Sequence, residues 1–231
     1  MNGSILVCDF SGVYEAEGFL PVLQEGSATV LDFTRLEGCC CYCDEPASAF
    51  ITAALPETLP RLRFLDSGDY HYMSHLLALR ETEPFHLVLM DHHPDNQEPA
   101  FGGVLSCGSW VKAMQDGNPL LRSVLMLGPE GCPQDIPEGW MDERRGERLY
   151  VSLDKDIMGR SWARTDWTQG EHTLGQVKET LRRLLEGGME VAAVDVCGEL
   201  PVSKGAREED LRINLNTNDD IYNHINKHLN Q

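Results

Sequence analysis

Phe85-His86-Leu87-Val88-Leu89-Met90 is a short, largely apolar run, and Asp91-His92-His93-Pro94-Asp95 follows it directly. A run of this length and composition is typical of a parallel strand that is buried on both faces. Open α/β sheets place their functional sites in the crevice at the carboxyl ends of such strands. Side-chain alternation would aim Asp91, His93 and Asp95 toward one region. The segment therefore predicts a buried strand with a cluster of ligand-type side chains at its end.

Further strands and helices are predicted on both sides of this run. Apolar segments bounded by turn residues predict strands, and apolar residues at helical spacing predict helices. The predicted strands are residues 4–10, 28–33, 62–65, 123–127, 148–153 and 191–196, and the predicted helices are residues 47–54, 72–80 and 173–185, with a short helix near residues 220–229. This alternation predicts the α/β class, as a three-layer α/β/α sandwich with a mainly parallel sheet. We expect residues 1–231 to form a single domain.

The composition of the chain is acidic. The 19 Lys and Arg residues are outnumbered by 37 Asp and Glu residues, which gives a formal net charge of −18. This charge argues against nucleic acid or an anionic membrane surface as a partner, and it favours a metal ion or a cationic small molecule. The amino terminus has no secretory signal pattern, and no apolar run approaches the ~20 residues of a bilayer span. We therefore expect a soluble, cytoplasmic protein.

The eight cysteines are too sparse to form a disulfide scaffold, so we expect reduced thiols. Cys39-Cys40-Cys41-Tyr42-Cys43 lacks a second cysteine pair at zinc-finger spacing, and small buried thiols are a better interpretation than a soft metal site. Cys197 lies beside the last predicted strand and is expected to be a core residue.

Three predicted strand ends carry residues that bind hard divalent metal ions. His71 follows the strand at residues 62–65, and Asp154 and Asp156 follow the strand at residues 148–153. The candidate ligands are His71, Asp91, His93, Asp95, Asp154 and Asp156. Their imidazole nitrogens and carboxylate oxygens suit a pair of ions such as Mn²⁺ better than a thiolate zinc site would. Two such ions about 3.5 Å apart lower the pKa of a shared water and make hydroxide available at neutral pH.

The motifs at these strand ends resemble those of the ureohydrolases, the family of arginase and agmatinase within the arginase and deacetylase fold. Asp91-His92-His93-Pro94-Asp95 is similar to the Asp-x-His-x-Asp motif of that family, and Ser152-Leu153-Asp154-Lys155-Asp156 is similar to its Ser-x-Asp-x-Asp motif. Gly68-Asp69-Tyr70-His71 is close to its Gly-Gly-Asp-His segment, with one extra residue before the histidine. The joint occurrence of both acidic motifs in the same order makes the resemblance fairly specific.

The resemblance implies an arginase-like fold with two Mn²⁺ ions per chain. It implies that one ion is held by His71, Asp91, Asp95 and Asp154, and the other by His93, Asp91, Asp154 and Asp156. It also implies that Asp95 passes a proton to the departing amine and that Glu199 faces the guanidinium group of the substrate. Cys107 occupies the place where the family has an additional active-site histidine.

The leading hypothesis is therefore a dinuclear-manganese hydrolase that cleaves a C–N bond of a guanidino compound to give urea and an amine. Its partner would be a small cationic substrate, and the resemblance also implies a homo-oligomer. One alternative is an amide hydrolase or deacetylase acting on a small amine-bearing substrate, because the same fold includes deacetylases. The other is a metal-binding or ligand-binding protein without turnover, which the departure at Cys107 leaves open.

Overall fold

The computed structural model describes residues 5–22, 28–100 and 102–229. The strands are β1 (Ile5–Asp9), β2 (Ala28–Asp32), β3 (Tyr42–Cys43), β4 (Leu62–Phe64), β5 (Phe85–Met90), β6 (Leu105–Ser106), β7 (Leu121–Leu127), β8 (Arg148–Asp154) and β9 (Glu190–Cys197). Seven of them form one parallel sheet in the order β2-β1-β4-β9-β8-β5-β7, and β3 and β6 form a separate antiparallel pair. The predicted α/β class with a mainly parallel sheet is confirmed.

Helices cover both faces of the large sheet. They are α1 (Val13–Ala16), α2 (Phe19–Val22), α3 (Glu45–Ala54), α4 (Met73–Ala78), α5 (Trp110–Gly117), α6 (Leu174–Glu186) and α7 (Glu208–Leu229). Buried side chains of α1, α2, α6 and α7 belong to one apolar cluster, and those of α3, α4 and α5 belong to another. These two clusters make the protein a three-layer α/β/α sandwich. In the described ranges, no helix combines the length and the apolar character needed to cross a membrane.

The strand β5 lies between β7 and β8 and is buried along its whole length. Val88 and Met90 belong to one apolar cluster, whereas Leu87 and Leu89 belong to the other. Because both faces are covered, the sequence of β5 is apolar except for His86 and does not alternate with polar residues. Burial of each such large side chain contributes about 1.5–3 kcal/mol to folding. The predicted strand at residues 85–90 is confirmed.

The helix at the carboxyl end is much longer than the sequence predicts. The prediction of a short helix near residues 220–229 is wrong, because α7 already begins at Glu208. Asn and Asp residues are frequent in its first half, and they have low intrinsic helix propensity. Asn214 is nevertheless fully buried and exchanges two hydrogen bonds of 2.8 Å with the backbone of Arg164. Such tertiary partners stabilise a helix that the local sequence alone does not specify.

Candidate metal centre

The candidate site lies at the carboxyl ends of four adjacent strands, in the spatial order β4, β9, β8 and β5. Parallel pairing places these ends along one edge of the sheet. Asp91 follows β5 directly, and Asp154 and Cys197 are the last residues of β8 and β9. His71 follows β4 after a 3-10 turn at Gly68–Tyr70, which accommodates the extra residue of this segment. Side chains from distant parts of the sequence thus reach one region.

The first ligand set surrounds His71. Its Nδ1 atom is 3.0 Å from Asp95 Oδ2 and 3.3 Å from Asp91 Oδ2. The same nitrogen is 3.5 Å from Asp154 Oδ2. The other ring nitrogen, Nε2, is 2.8 Å from the hydroxyl of Ser152. A partner of this kind orients a metal-binding imidazole and fixes its tautomer, so the ring presents Nδ1 to the carboxylates.

The second ligand set surrounds His93. Its Nδ1 atom is 2.7 Å from Asp156 Oδ2 and 3.6 Å from Asp91 Oδ1. Its Nε2 atom is 2.8 Å from the hydroxyl of Thr168, which orients this ring as Ser152 orients the first. Asp91 contributes one oxygen to each set and therefore joins them. The structure brings the six candidate ligands to one region, with Asp154 beside His71 and with Asp91 and Asp156 beside His93.

The donor atoms of this cluster fit divalent metal ions. His71 and Asp91 are each only 1% exposed, so water does not reach them freely. Within the described part of the protein, His71 Nδ1 and Asp91 Oδ2 have no hydrogen-bond partner. A buried polar atom left without a partner costs about 1–3 kcal/mol, which a bound ion would offset. The buried carboxylates are those of Asp91, Asp95, Asp154 and Asp156. Within the described ranges, no ion pair joins these carboxylates to Lys or Arg, and two divalent cations would balance their four charges.

The burial of several carboxylates shifts their pKa values. Burial, with the charge of Asp91, raises the pKa of Asp95 to about 6. Burial and the neighbouring carboxylate charges also raise the pKa of Asp156. Burial acts in the same direction on Asp91, but the neighbouring imidazoles of His71 and His93 and the backbone N–H of His93 outweigh it and lower the Asp91 pKa. The hydrogen bond to Asp156 raises the pKa of His93 to about 10. Cations that bind here would replace protons.

A cavity of about 340 Å³ opens onto these carboxylates. Its other lining residues include Cys41, Tyr42, Gln97, Cys107 and Trp167. The indole N–H of Trp167 donates a 3.2 Å hydrogen bond to Asp69, which holds the ring at the cavity wall. The described lining residues include no Lys or Arg. The cavity is therefore electrostatically suited to a cation and offers no counter-charge to a carboxylate.

Cys107 and Asp95, both of which the resemblance assigns to catalysis, line this cavity. Burial raises the pKa of the Cys107 thiol to about 12, so the thiol stays protonated at neutral pH. Asp95 accepts a 2.7 Å hydrogen bond from the indole nitrogen of Trp110, which fixes its carboxylate. Of these two side chains, Asp95 is the better placed for proton transfer near neutral pH.

Glu199 lies outside the cavity wall, in a buried polar network. Its carboxylate is fully buried, forms an ion pair with Lys155, and accepts a 2.9 Å hydrogen bond from Asn218 Nδ2. Gly198 has a φ of 95°, and it adds a residue between the end of β9 and Glu199. A shift of one residue turns a side chain to the opposite face of a sheet. The structure thus does not bring Glu199 together with the six metal-ligand candidates.

Glu17 belongs to the same network, and it leads to a pH-dependent prediction. Its Oε1 atom accepts a 2.7 Å hydrogen bond from Asn218, and burial, with the charge of Glu199, raises its pKa to about 9. The folded chain therefore keeps a proton that the unfolded chain loses above about pH 4.5. This contribution to stability is complete at lower pH and is lost as the pH rises toward 9.

We expect Glu17→Gln to be more stable than the wild type by about 1 kcal/mol or more at pH 8, because the amide carries no ionisable proton. The difference should shrink or change sign at pH 5. Urea unfolding of both proteins at the two pH values measures it. A stability difference that does not change with pH would contradict the raised pKa of Glu17.

Several residues of the site have no assigned role in the sequence analysis. Ser152 lies two residues before Asp154 in β8, and strand alternation places both side chains on one face of the sheet. This alternation is the sequence signal that could have identified Ser152. Tyr42 and Gln97 belong to no motif. The pairing of β3 with β6 and a backbone hydrogen bond from Gln97 to Gly108 bring them to the wall. No local sequence signal predicts contacts of this kind.

Comparison with known sequences gives one distant relative. No protein-family model matches the chain. Among curated proteins, an uncharacterized protein of Thermotoga maritima is 25% identical over 231 residues, which covers 91% of this chain and 86% of the relative. This similarity extends along most of both chains but carries no activity with it.

Comparison with solved structures gives many matches. Proclavaminate amidino hydrolase from Streptomyces clavuligerus has a TM-score of 0.66 at 15% identity, covering 98% of this chain and 91% of that one. A hypothetical agmatinase from Burkholderia thailandensis has a TM-score of 0.64 at 17% identity, covering 99% and 88%. Arginase from Bacillus caldovelox has a TM-score of 0.62 at 12% identity, covering 95% and 98%. The predicted arginase-like fold is confirmed, and the ureohydrolase resemblance holds at the level of the fold.

Proposed function

We propose that the protein is a metal-dependent hydrolase that cleaves a C–N bond of a small cationic guanidino compound to give urea and an amine. The observation that carries this proposal is the pair of buried ligand sets that share Asp91 and open onto one cavity. Solved structures with the same fold are described as an amidino hydrolase, a hypothetical agmatinase and an arginase, which supports the same class of reaction.

Two divalent ions per chain are part of this proposal, with Mn²⁺ as the ion that hard oxygen and nitrogen donors accept well. One ion would be held by His71, Asp91, Asp95 and Asp154, and the other by His93, Asp91, Asp154 and Asp156. When bound, such ions supply Lewis-acid polarisation and a nucleophile at neutral pH. Ser152 and Thr168 hold the two imidazole rings in their ligating orientation.

The remaining steps depend on side chains of the cavity. Trp167 and Tyr42 line the cavity and would contact a substrate bound in it. Asp95, held by Trp110, would accept a proton from the attacking water and deliver it to the nitrogen of the departing amine as the C–N bond breaks. Because no Lys or Arg is among the described lining residues, we expect guanidines that end in an amine to be preferred over those that end in a carboxylate.

Metal content and urea release on one sample test this proposal. Protein purified with Mn²⁺ is analysed for metals and then incubated with arginine, agmatine and 4-guanidinobutyrate, with chelator-treated protein as the control. We expect about two metal ions per chain and urea from at least one compound, only with metal present. Two ions without urea, together with hydrolysis of an acetylated amine, would favour the deacetylase alternative. A protein that binds no divalent ion would contradict both activities.

A further inference from the structure

A thiol lies beside the His71 ligand set. Cys197, the last residue of β9, pairs in register with Asp154 at the end of β8. Its Sγ atom is 3.1 Å from Asp154 Oδ2. The sulfur, a His71 ring nitrogen and an Asp154 oxygen all lie within 4.8 Å of one another. Three different ligand atoms therefore converge at one buried point.

Hydrogen bonds within the described part of the chain leave one of these ligand atoms without a partner. The thiol of Cys197 donates to Asp154 Oδ2, but His71 Nδ1 remains without a hydrogen-bond partner. This nitrogen is 3.5 Å from the same Asp154 oxygen, and the His71 side chain is 1% exposed. Buried polar atoms are normally paired, so an unpaired one indicates a missing ligand. An ion bound among the three residues would contact the nitrogen, the oxygen and the sulfur together.

The backbone after Cys197 permits this close approach. Gly198 has a φ of 95°, and a Cβ atom at this position would overlap with the Asp154 carboxylate and lie 2.8 Å from the Lys155 backbone nitrogen. A glycine is therefore required for the end of β9 to pass so near the end of β8. The close packing of the two strand ends places the Cys197 sulfur next to the Asp154 carboxylate.

We propose that Cys197 Sγ is a ligand of the ion held by the His71 set, and that this position prefers a thiophilic cation such as Zn²⁺, Co²⁺ or Fe²⁺ over Mn²⁺. Thiolate donors select softer ions, whereas the His93 set offers imidazole and carboxylate donors alone. On binding, the thiol proton passes to solvent and the sulfur bonds to the ion. The inference rests on the metal-dependent function proposed above and makes the two positions chemically different.

Cobalt absorption spectroscopy tests the sulfur ligand without an activity assay. Metal-free full-length protein is titrated with Co²⁺, because a thiolate ligand gives this ion a strong charge-transfer band in the near ultraviolet. We expect the band in the wild type. We also expect it in Cys107→Ser, which removes a thiol that lines the cavity. Cys197→Ser, combined with Cys40→Ser and Cys41→Ser because those two thiols form a separate candidate group with Asp69, should bind Co²⁺ without the band. Its ratio of Zn²⁺ to Mn²⁺ affinity should fall by about tenfold or more.

The outcomes separate this inference from the proposed function. Co²⁺ bound by the wild type without the band, or a band that persists when Cys197→Ser is combined with Cys40→Ser and Cys41→Ser, would overturn the sulfur ligand and leave the metal-dependent function intact. A wild type that binds no Co²⁺ in equilibrium dialysis would overturn both. Cys197→Ala is the second variant if Cys197→Ser does not fold, and circular dichroism checks the fold of each.

Discussion

Replacing Asp91 by asparagine is expected to weaken metal binding at both positions and to reduce kcat/KM for the guanidino substrate by roughly 10³-fold or more. Asp91 contributes to both ligand sets, because its Oδ2 is 3.3 Å from His71 Nδ1 and its Oδ1 is 3.6 Å from His93 Nδ1. Asparagine keeps the size of the side chain but removes its charge and replaces one acceptor oxygen with a donor. A single change thus affects two ions, whose combined charge stabilisation is worth several kcal/mol.

Elemental analysis and urea release on the same preparation measure this effect. The matched control is Asp32→Asn, because Asp32 also ends a parallel strand but is exposed and bonds to Thr34. The control should keep wild-type metal content and activity. Near-wild-type metal content and more than about a tenth of the activity in Asp91→Asn would show that Asp91 does not join the two positions.

The position of most of the candidate metal ligands could be predicted because they lie at or just after the end of a strand. Asp91 directly follows β5, and Asp154 ends β8, so two buried apolar runs mark where the carboxylates emerge. Parallel strands end at one edge of the sheet, which brings these carboxylates together whatever their separation in the sequence. The position of His71 could not be predicted in this way, because the 3-10 turn at Gly68–Tyr70 determines whether its ring reaches these carboxylates.

The surroundings of Glu199 could not be predicted from its spacing. Counting residues from Asp195 does not show whether the extra residue continues the strand or lies in a bulge after it. The φ of 95° at Gly198 resolves this question, since a residue in this conformation breaks the alternation of the strand. The buried partners of Glu199 come from α7 and from Lys155, which lies between Asp154 and Asp156. Neither contact has a local signal in the sequence.

The cavity wall was also beyond sequence analysis, for a different reason. β3 and β6 have two residues each, which is too short for a pattern of alternation to identify a strand. Their antiparallel pairing sets Tyr42 opposite Ser106 and carries Cys107 to the wall. Short strands of this kind depend on the surrounding fold and not on their own composition.

Lys155→Met is expected to lower the free energy of unfolding by about 3–5 kcal/mol. Lys155 is fully buried, forms an ion pair with Glu199, and donates a 2.9 Å hydrogen bond to Asn218 Oδ1. Methionine fills a similar volume but leaves the Glu199 carboxylate buried without a counter-charge. The carboxyl group of Glu17, bonded to the same Asn218 side chain, is protonated at neutral pH and supplies no counter-charge. Such an uncompensated buried charge is among the most destabilising changes that one substitution can make.

A double variant separates this electrostatic effect from the loss of packing. Lys155→Met combined with Glu199→Gln removes both charges, so we expect it to recover most of the lost stability in urea unfolding of the metal-free protein. The control Lys178→Met breaks a more exposed ion pair with Asp220 and should cost at most about 1 kcal/mol. If the double variant is as unstable as the single one, packing and not charge explains the loss. If it is stable and keeps wild-type metal content but releases no urea, the Lys155–Glu199 pair has a role in turnover beyond the stability of the fold.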